Sequence, residues 1–443
     1  MPTLPTTYPR GDKALERTPT QASFGRLWLL VGVLLILVSV VMIAKFFDGD
    51  DKDAGVWYDA GHRVLAGETL SQLPHYRYPP TFAVLVAPLA ALGFPAFFFI
   101  WYAINIGLFA VSLRLAIHLV YPAEVAVPAR SYWLPAALVA IFAIDNLFLG
   151  QTNILIMTLV YWSFLEDQRG RPWLSGLPLG LAIAIKAFPA SLLAYFLYRR
   201  KITLAAASVL ACGFFLFVLP APIRGFTRNY IEVRDWADRI ALPFLSRGQA
   251  LDWGQHAVDF GNQSLPAVAR RYLTSVDAQV AARETHSIYV NIADLRSEAV
   301  NLIVLGVVFA LAASAAISCG WKVPRTNIQR AAEYSLITAA LLLTSALSWT
   351  YFFVMLLLPI AFVVRLLFDG IDFPLRTTLM LRASLWGIVA TILLLTNHLA
   401  RACGCLFWAT ALIFAASALA CSDIRHIEPT PEENLTLRPS RCS

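Results

Sequence analysis

The chain is poor in charged residues. Asp, Glu, Lys and Arg make up only 14% of its 443 residues, whereas 58% are hydrophobic and the mean hydropathy is +0.64. A soluble protein of this length would carry far more charge. Several apolar runs approach the roughly 20 residues that span a bilayer. The composition therefore predicts a membrane protein and excludes an ordinary soluble domain.

Cysteine and the motifs of soluble enzymes are also scarce. The six cysteines are scattered, so no disulfide framework is indicated. Cys403 and Cys405 flank a single glycine, which is not the spacing of a metal site. The sequence has no Gly-x-Gly-x-x-Gly, P-loop or His-Glu-x-x-His motif. The net charge of +7 does not indicate a nucleic-acid partner, because Lys and Arg in a multi-span protein mainly set its orientation.

About twelve apolar segments predict an all-α polytopic membrane protein. Residues 25–421 form one multi-span domain in this interpretation, and the polar ends 1–24 and 422–443 are predicted to be disordered. The first span is too long for a signal peptide and is expected to be retained as an anchor. The predicted spans are 27–47, 80–93, 96–120, 134–149, 152–165, 174–198, 202–219, 300–319, 331–347, 351–367, 378–395 and 403–421.

Lys and Arg are concentrated in alternate loops. The positive-inside rule therefore predicts that both termini are cytoplasmic, in a bacterial inner or plasma membrane, although Arg169 and Arg171 then lie outside against the rule. Loops 48–79 and 221–299 face outward in this topology, and two loops on one face can build a site together. The basic residues of the predicted inner loops are Arg199, Arg200, Lys201, Lys322, Arg325, Arg330, Arg365 and Arg376.

The first outward loop combines five aspartates with a predicted amphipathic helix at 54–65. Trp57 is expected at the level of the lipid headgroups, and Asp53 falls where an N-cap is expected. Asp59 is expected to face away from the membrane. The loop is either a capped interfacial helix preceded by solvated acidic residues, or part of a functional site. The predicted membrane-facing side chains are Val56, Ala60 and Val64.

Two Asp-x-Asp pairs precede this helix, Asp48 with Asp50 and Asp51 with Asp53. Such pairs can hold a metal ion in transferases that use nucleotide sugars. They are also common by chance, and these pairs face outward, where nucleotide sugars are scarce. We therefore predict no metal and no other cofactor.

A lysine interrupts the predicted span 174–198. Lys186 would cost roughly 2.5–3.5 kcal/mol at the centre of a membrane helix. The cytoplasmic end at Tyr198 is ~18 Å of helix away, which is too far for the side chain to reach. Pro189 weakens the helix at the same place. A functional role is therefore favoured over snorkelling, whereas the polar residues at 150–153 are explained by the needs of a turn.

The second outward loop contains two amphipathic segments. Residues 230–241 follow a helical stripe with charged side chains on the opposite face, and 262–273 form a second segment that carries Arg270 and Arg271. A surface cover and a lid over a lipid-sized or sugar-sized cleft are both compatible with this pattern.

A series of short motifs follows one another along the chain: Asp53-x-x-Val56-Trp57-Tyr58-x-Ala60-Gly61, Leu65-x-Gly67, Tyr76-x-Tyr78-Pro79-Pro80, Ala87-Pro88-Leu89, Gly150-Gln151-x-Asn153, Gly176 to Lys186 with Pro189, Asn262-Gln263-Ser264-Leu265, and Ser345-x-x-Ser348-Trp349. In this order they resemble glycosyltransferase family 87, the polyprenyl-phosphate-mannose-dependent α-mannosyltransferases of the GT-C fold. The family often has histidine just after the Ser-Trp pair, where this chain has Tyr351 and Phe352.

The resemblance implies a GT-C-like bundle of helices. It also implies that the protein moves a sugar, mannose in this family, from a polyprenyl-phosphate donor to a lipid or glycan acceptor on the outer face. The transfer would invert the anomeric carbon by a single displacement. It assigns the catalytic base to Asp53. A cation is needed near the departing phosphate. The residues expected to bind the donor phosphate are Lys186, Arg270 and Arg77, and those expected to bind sugar or acceptor are Asn262, Gln263, Gln151 and Tyr78.

Two other classes of function remain open. Lys186 and the break at Pro189 would suit a transporter or flippase of lipid-linked sugars, although the chain has no internal repeat. A non-catalytic scaffold would leave Lys186 unexplained. An enzyme should have one outward cleft that joins Asp53 to Lys186, whereas a transporter should have a polar path between the two faces.

Overall fold

The structure, a computed structural model, describes residues 52–122, 125–242, 257–279, 286–324 and 326–425. Asp51–Val127 and Ser131–Ser443 form one compact unit, and the other unit, Met1–Asp50 with Pro128–Arg130, is described only at 128–130. The predictions for the remaining residues lie outside the described ranges. These predictions concern the tails 1–24 and 426–443, the span 27–47, and the acidic residues Asp48, Asp50 and Asp51.

The described residues are mostly α-helical and contain no β-strand. Short 3₁₀ segments occur at Phe188–Ser191 and Thr350–Leu356, and π-helical segments at Phe214–Val218 and Ala237–Ala241. The helices are α1 Lys52–Leu65, α2 Pro80–Ala90, α3 Phe94–Val120, α4 Arg130–Leu149, α5 Asn153–Gln168, α6 Pro172–Ile185, α7 Leu192–Tyr198, α8 Ile202–Gly213, α9 Ala221–Arg224, α10 Phe226–Trp236, α11 Leu265–Leu273, α12 Ser297–Cys319, α13 Asn327–Thr344, α14 Leu357–Phe368, α15 Leu375–Leu394, α16 His398–Ala402 and α17 Cys405–Ile424.

Seven helical stretches in the described ranges are long and apolar enough to cross a membrane. Their mean hydropathy lies between 1.6 and 2.5. The prediction of an all-α, multi-pass membrane protein is confirmed. The stretches are Phe94–Val120, Arg130–Leu149, Ile202–Arg224, Ser297–Cys319, Thr350–Phe368, Leu375–Leu394 and Cys405–Ile424.

The helices of this unit run between two polar ends. At the first end, Lys201 forms an ion pair with Asp167. The buried Arg199 and Glu333 form a second pair there, in which Arg199 Nε donates to Glu333 Oε2 at 2.8 Å. The second end holds α1 and the turn at Gly150, and we call it the site end. The first end, which we call the arginine-rich end, comprises residues 119–121, 166–171, 199–201, 319–324, 326–330 and 365–369.

The predicted span 80–93 is wrong, because α2 is too short to cross and stays at the site end. It has 11 residues, or ~16 Å of helix. α2 packs closely on α1, since a Cβ added to Gly61 would lie 2.8 Å from Ala90 Cβ. At its other end, Thr81 Oγ1 donates to the carbonyl oxygen of Phe215 at 2.9 Å.

The predicted span 174–198 is also wrong, because it consists of two short apolar helices that form a hairpin. α6 ends at Ile185, and Lys186 has extended backbone angles (φ −148°, ψ 113°). The chain returns through Phe188–Tyr198. Both outer ends of the hairpin lie at the arginine-rich end, while Lys186 at its tip donates to Asn153 Oδ1 at 3.0 Å.

This hairpin corrects the predicted placement of Arg169 and Arg171. Both side chains lie near Glu166, at N–O distances of 2.7 and 3.5 Å, at the end of α5 where Asp167 pairs with Lys201. The two arginines therefore share one end with the other basic loops. Their exception to the positive-inside rule came from treating 80–93 and 174–198 as single crossings.

Helix α1 is buried in the protein rather than laid on the lipid interface. Its buried side includes Ala54 and Trp57, each 2% exposed, so the predicted position of Trp57 at the headgroups is wrong. Trp57 Nε1 donates to the Gly150 carbonyl at 2.8 Å, and Trp101 Nε1 donates to the same oxygen at 2.9 Å. Gly150 has φ +71°, and a Cβ there would lie 2.8 Å from Ala54 Cβ.

Gly150→Ala should lower stability, because the left-handed backbone and the contact with Ala54 both oppose a side chain. The backbone alone costs roughly 1–2 kcal/mol, and overpacking adds roughly 1–3 kcal/mol. Gly170→Ala is the matched control, since Gly170 has φ +69° and no atom within 4 Å of the added Cβ. Thermal unfolding in detergent should show the larger loss for Gly150→Ala, with partial recovery in the Gly150→Ala, Ala54→Gly double variant. Equal losses at the two glycines would contradict the packing argument.

The corrected topology predicts that position 171 lies on the same side of the membrane as position 322. Single cysteines replacing Arg171, Lys322 or Glu68 are to be labelled with a membrane-impermeant maleimide, with the native chain as the background control. Glu68→Cys should react in intact cells, because the positive-inside rule predicts that the loop at 48–79 faces outward. Arg171→Cys and Lys322→Cys should react only after permeabilisation. Labelling of Arg171→Cys but not of Lys322→Cys in intact cells would contradict the hairpin.

Candidate active site

Asp53 lies at the site end in contact with the turn that follows α4. The Gln151 amide nitrogen donates to Asp53 Oδ2, and its Oε1 accepts from the Tyr78 hydroxyl at 3.3 Å. α1 begins at Lys52, so Asp53 is inside the first helical turn rather than at the predicted N-cap. The helix dipole favours a carboxylate there as well. Asp59, on the same helix, is exposed as predicted.

The turn that presents Gln151 is fixed by Asn146. Asn146 Nδ2 donates to the Gln151 carbonyl and Asn146 Oδ1 accepts from the Asn153 backbone N–H, both at 3.1 Å. The polar side chains of this turn thus form hydrogen bonds with its backbone, as predicted from the needs of a turn. The same turn also aims two side chains, Gln151 and Asn153, at Asp53 and Lys186.

Tyr78 connects the two charged residues of the site. Its ring packs edge-on against Trp57, with ring centres 4.6 Å apart, and its hydroxyl lies 2.9 Å from Thr152 Oγ1. Burial raises the pKa of the Tyr78 phenol well above its ordinary value, the bond to Thr152 lowers it, and the charge of Asp53 raises it further. Tyr78 is therefore a neutral hydroxyl that can donate a hydrogen bond.

Lys186 is held by an amide oxygen and by the faces of aromatic rings. Its Nζ donates to Asn153 Oδ1 and lies 4.0 Å from the ring centre of Phe352. The rings of Tyr78 and Tyr351 are 5.5 and 5.7 Å away. These contacts stabilise an ammonium group. Within the described ranges it has no carboxylate partner at ion-pair distance, which leaves its charge available to an anionic ligand.

A second cluster joins two of the predicted motifs to each other. Asn262 Oδ1 accepts from the Ser348 N–H at 3.1 Å, and the Gln263 N–H donates to the Ser348 carbonyl at 2.8 Å. The Gln263 amide nitrogen donates to the Phe260 and Arg401 carbonyls at 2.6 and 2.7 Å. The contacts of both amides are structural, and their contact with a sugar stays a prediction.

The other two cations expected to bind the donor phosphate are Arg270 and Arg77. Arg270 is half-buried on α11 and donates to Asn301 Oδ1 at 2.9 Å. The carbonyl of Arg77 accepts from Trp236 Nε1 at 3.0 Å, which ties the loop at 48–79 to the loop at 221–299. The outward placement of these loops stays a prediction.

Sequence reasoning missed the two groups that organise the site. Nothing local signals that two tryptophans share the Gly150 carbonyl, because the contacts are 49 and 93 residues apart. Tyr351 and Phe352 were interpreted as a departure from the family's histidines. In the structure their rings surround Lys186. A buried lysine without a nearby acid is the one signal that could have indicated an aromatic cage.

The arrangement can perform a proton transfer and a phosphate-stabilised displacement. A half-buried carboxylate, a neutral hydroxyl and an ammonium group occur along a chain of contacts from Asp53 through Gln151 and Tyr78 to Lys186. A carboxylate can accept a proton from a hydroxyl, and a cation can stabilise the negative charge on a leaving phosphate.

Comparisons with known proteins agree with this chemistry. The chain is 34% identical over 196 residues to a polyprenol-phosphate-mannose-dependent α-(1-2)-phosphatidylinositol mannoside mannosyltransferase of Mycobacterium tuberculosis, covering 39% of this chain and 45% of that protein. It is 34% identical over 192 residues to the protein of the same name from Mycolicibacterium smegmatis, covering 39% and 42%. An α-(1->3)-arabinofuranosyltransferase of M. tuberculosis is 31% identical over 186 residues, covering 40% and 42%.

These matches span less than half the length of those relatives. No solved structure matches the chain. A family model described as Glycosyltransferase family 87 matches residues 76–348, which include Tyr78, Gln151 and Lys186. Because this match covers more than half of the sequence, the chain belongs to glycosyltransferase family 87.

Proposed function

We propose that the chain is a membrane glycosyltransferase that moves a sugar from a polyprenyl-phosphate donor to a lipid or glycan acceptor at the outer face. The observation that carries this proposal is the connection of Asp53 to Lys186 through Gln151 and Tyr78. Two relatives are named as polyprenol-phosphate-mannose-dependent, which favours mannose as the sugar and a glycolipid as the acceptor. The active site faces outward and both termini are cytoplasmic in this proposal.

Asp53 acts as the general base. The acceptor hydroxyl gives its proton to the Asp53 carboxylate while its oxygen bonds to the anomeric carbon of the donor sugar. The bond between that carbon and the phosphate oxygen breaks, and its electron pair stays on the departing polyprenyl phosphate. One displacement of this kind inverts the anomeric carbon. The hydrogen bond from Gln151 Nε2 orients the carboxylate before the substrate binds.

Lys186 binds the phosphate of the donor. Its ammonium lies at the tip of the α6 hairpin, at the site end, with Asn153 and aromatic rings as its partners. Charge on the departing phosphate increases during the displacement, so a cation there stabilises the transition state more than the bound donor. Tyr78 and Gln151 are placed beside both charged residues and are proposed to hold sugar or acceptor hydroxyls.

The distribution of polar residues supports an enzyme over a transporter. Asp53 and Lys186 both lie at the site end. Between the ends, α14 carries eight consecutive buried, apolar residues, Leu357–Val364. The buried pair of Arg199 and Glu333 lies at the opposite end. This arrangement supports a site that opens at one end and gives no support to a polar path through the bundle.

Asp53→Asn should lower turnover by roughly 10²–10⁴, the usual contribution of general base catalysis. The amide keeps the size of the side chain and can still accept from Gln151, so folding should be intact. Radiolabelled sugar transfer from polyprenyl phosphate mannose into membrane lipids measures the loss. Asp59→Asn, on the exposed side of the same helix, is the control and should leave transfer near the native rate. Loss in the control with full activity in Asp53→Asn would reverse the assignment.

Lys186→Met should raise the KM for the polyprenyl-phosphate donor by roughly 10- to 100-fold, because a charge-assisted hydrogen bond contributes about 1.5–3 kcal/mol. Methionine retains the contact with the rings of the cage. Steady-state kinetics with varied donor give the value. Lys201→Met, at the arginine-rich end, is the control and should leave the donor KM unchanged. A native KM in Lys186→Met would remove Lys186 from donor binding.

A further inference from the structure

Helix α16 is anchored by side chains of the second outward loop. Carbonyls of three successive residues at its C-terminal end accept hydrogen bonds from that loop, which fixes the position of the helix whatever side chains it carries. These bonds run from Gln263 Nε2 to the Arg401 carbonyl (2.7 Å), from Arg271 Nε to the Ala402 carbonyl (2.8 Å), and from the Tyr272 hydroxyl to the Cys403 carbonyl (2.8 Å).

The Arg401 guanidinium lies on an aromatic face with its N–H groups uncommitted. Its central carbon is 4.5 Å from the ring centre of Phe260, and that ring stacks on His398 with centres 4.7 Å apart and an interplanar angle of 19°. The side chain is half-buried. In the part of the chain that the structure describes, the guanidinium has no hydrogen-bond acceptor or ion-pair partner.

The electrostatic surroundings make this an incomplete site. Burial lowers the pKa of Arg401, against the opposing effect of the charges of Asp259 and Asp145. Arginine stays charged in proteins, so its partial desolvation has a cost that an anionic ligand would reduce. Asp259 Oδ1 already accepts from the Gly261 N–H at 2.7 Å. The planar fork of a guanidinium fits the paired oxygens of a phosphate.

A short stretch of chain connects this arginine to the cage of the lysine. Gly261, next to Phe260, packs so closely on Trp349 that an added Cβ would lie 2.6 Å from its ring. Three residues later, the Phe352 ring contacts Lys186. Three residues span at most ~11 Å of backbone. Packed residues at the site end therefore connect Arg401 to the cage of Lys186.

We propose that the Arg401 guanidinium binds a phosphate group of a substrate lipid, as a second cation of the site that contains Lys186. The inference rests on the proposed function and names a binding residue for it outside the family match at 76–348. The phosphate belongs either to the polyprenyl donor or to a phospholipid-based acceptor. Both present the same oxyanion to the guanidinium.

Direct lipid binding to the purified full-length chain tests this without relying on turnover. Native mass spectrometry is to measure the Kd of polyprenyl phosphate and of phosphatidylinositol, with polyprenol and diacylglycerol as phosphate-free analogues. Arg401→Gln should raise the Kd of one of the two phosphate lipids by roughly 10- to 100-fold. Arg401→Lys keeps the charge but loses the planar fork of the guanidinium, so it should raise that Kd less. Arg376→Gln, from a surface pair with Asp423 at the other end, is the control and should bind as the native chain does.

The outcomes separate the inference from the proposed function. If only the binding of polyprenyl phosphate is weakened, Arg401 binds the phosphate of the donor. If only the binding of phosphatidylinositol is weakened, Arg401 binds the phosphate of the acceptor. Native binding of both lipids by Arg401→Gln, in a chain whose Lys186→Met variant loses polyprenyl phosphate, would overturn the inference and leave the proposed function standing. A native chain that prefers neither phosphate lipid over its analogue would contradict both. Thermal unfolding of each variant shows whether the protein measured is folded.

Discussion

One backbone oxygen, the carbonyl of Gly150, holds the candidate site together. The indoles of Trp57 and Trp101 both donate to it, so α1, α3 and the turn after α4 meet at a single acceptor. The left-handed backbone of Gly150 and its contact with Ala54 allow that approach. Gln151 is the next residue, and it therefore comes into contact with Asp53. The carboxylate is oriented by a contact that only glycine permits.

The second constraint is the cost of placing a lysine among apolar helices. Helix α6 meets this constraint by ending at Ile185, so that Lys186 lies at the tip of the hairpin instead of in the middle of a helix. The same fold-back returns the chain to the arginine-rich end, where Lys201 pairs with Asp167. Aromatic faces and Asn153 then stabilise the ammonium without neutralising it. A charge kept in this way is suited to the anionic ligand that we propose for it.

The helical class could be predicted from hydropathy, because it depends on local composition, whereas the outward placement of the two loops stays a prediction. The buried face of α1 could not be predicted, since Trp57 is covered by Gly150 and α2 rather than by lipid. The spans at 80–93 and 174–198 were wrong for a related reason. Apolar length alone does not distinguish a crossing from a short helix that turns back, and the partners of Lys186 are distant in sequence. Family motifs found Asp53 and Gln151 but not the cage around the lysine.

The central claim is that Asp53 and Lys186 flank the sugar–phosphate bond of a lipid donor. An experimental structure of the full-length chain in lipid, with polyprenyl phosphate mannose bound to the inactive Asp53→Asn variant, tests it most directly. The account predicts the donor phosphate within hydrogen-bond distance of Lys186 Nζ, with the anomeric carbon facing the side chain at position 53. A donor phosphate bound at the arginine-rich end, or a sugar turned away from position 53, would contradict the account.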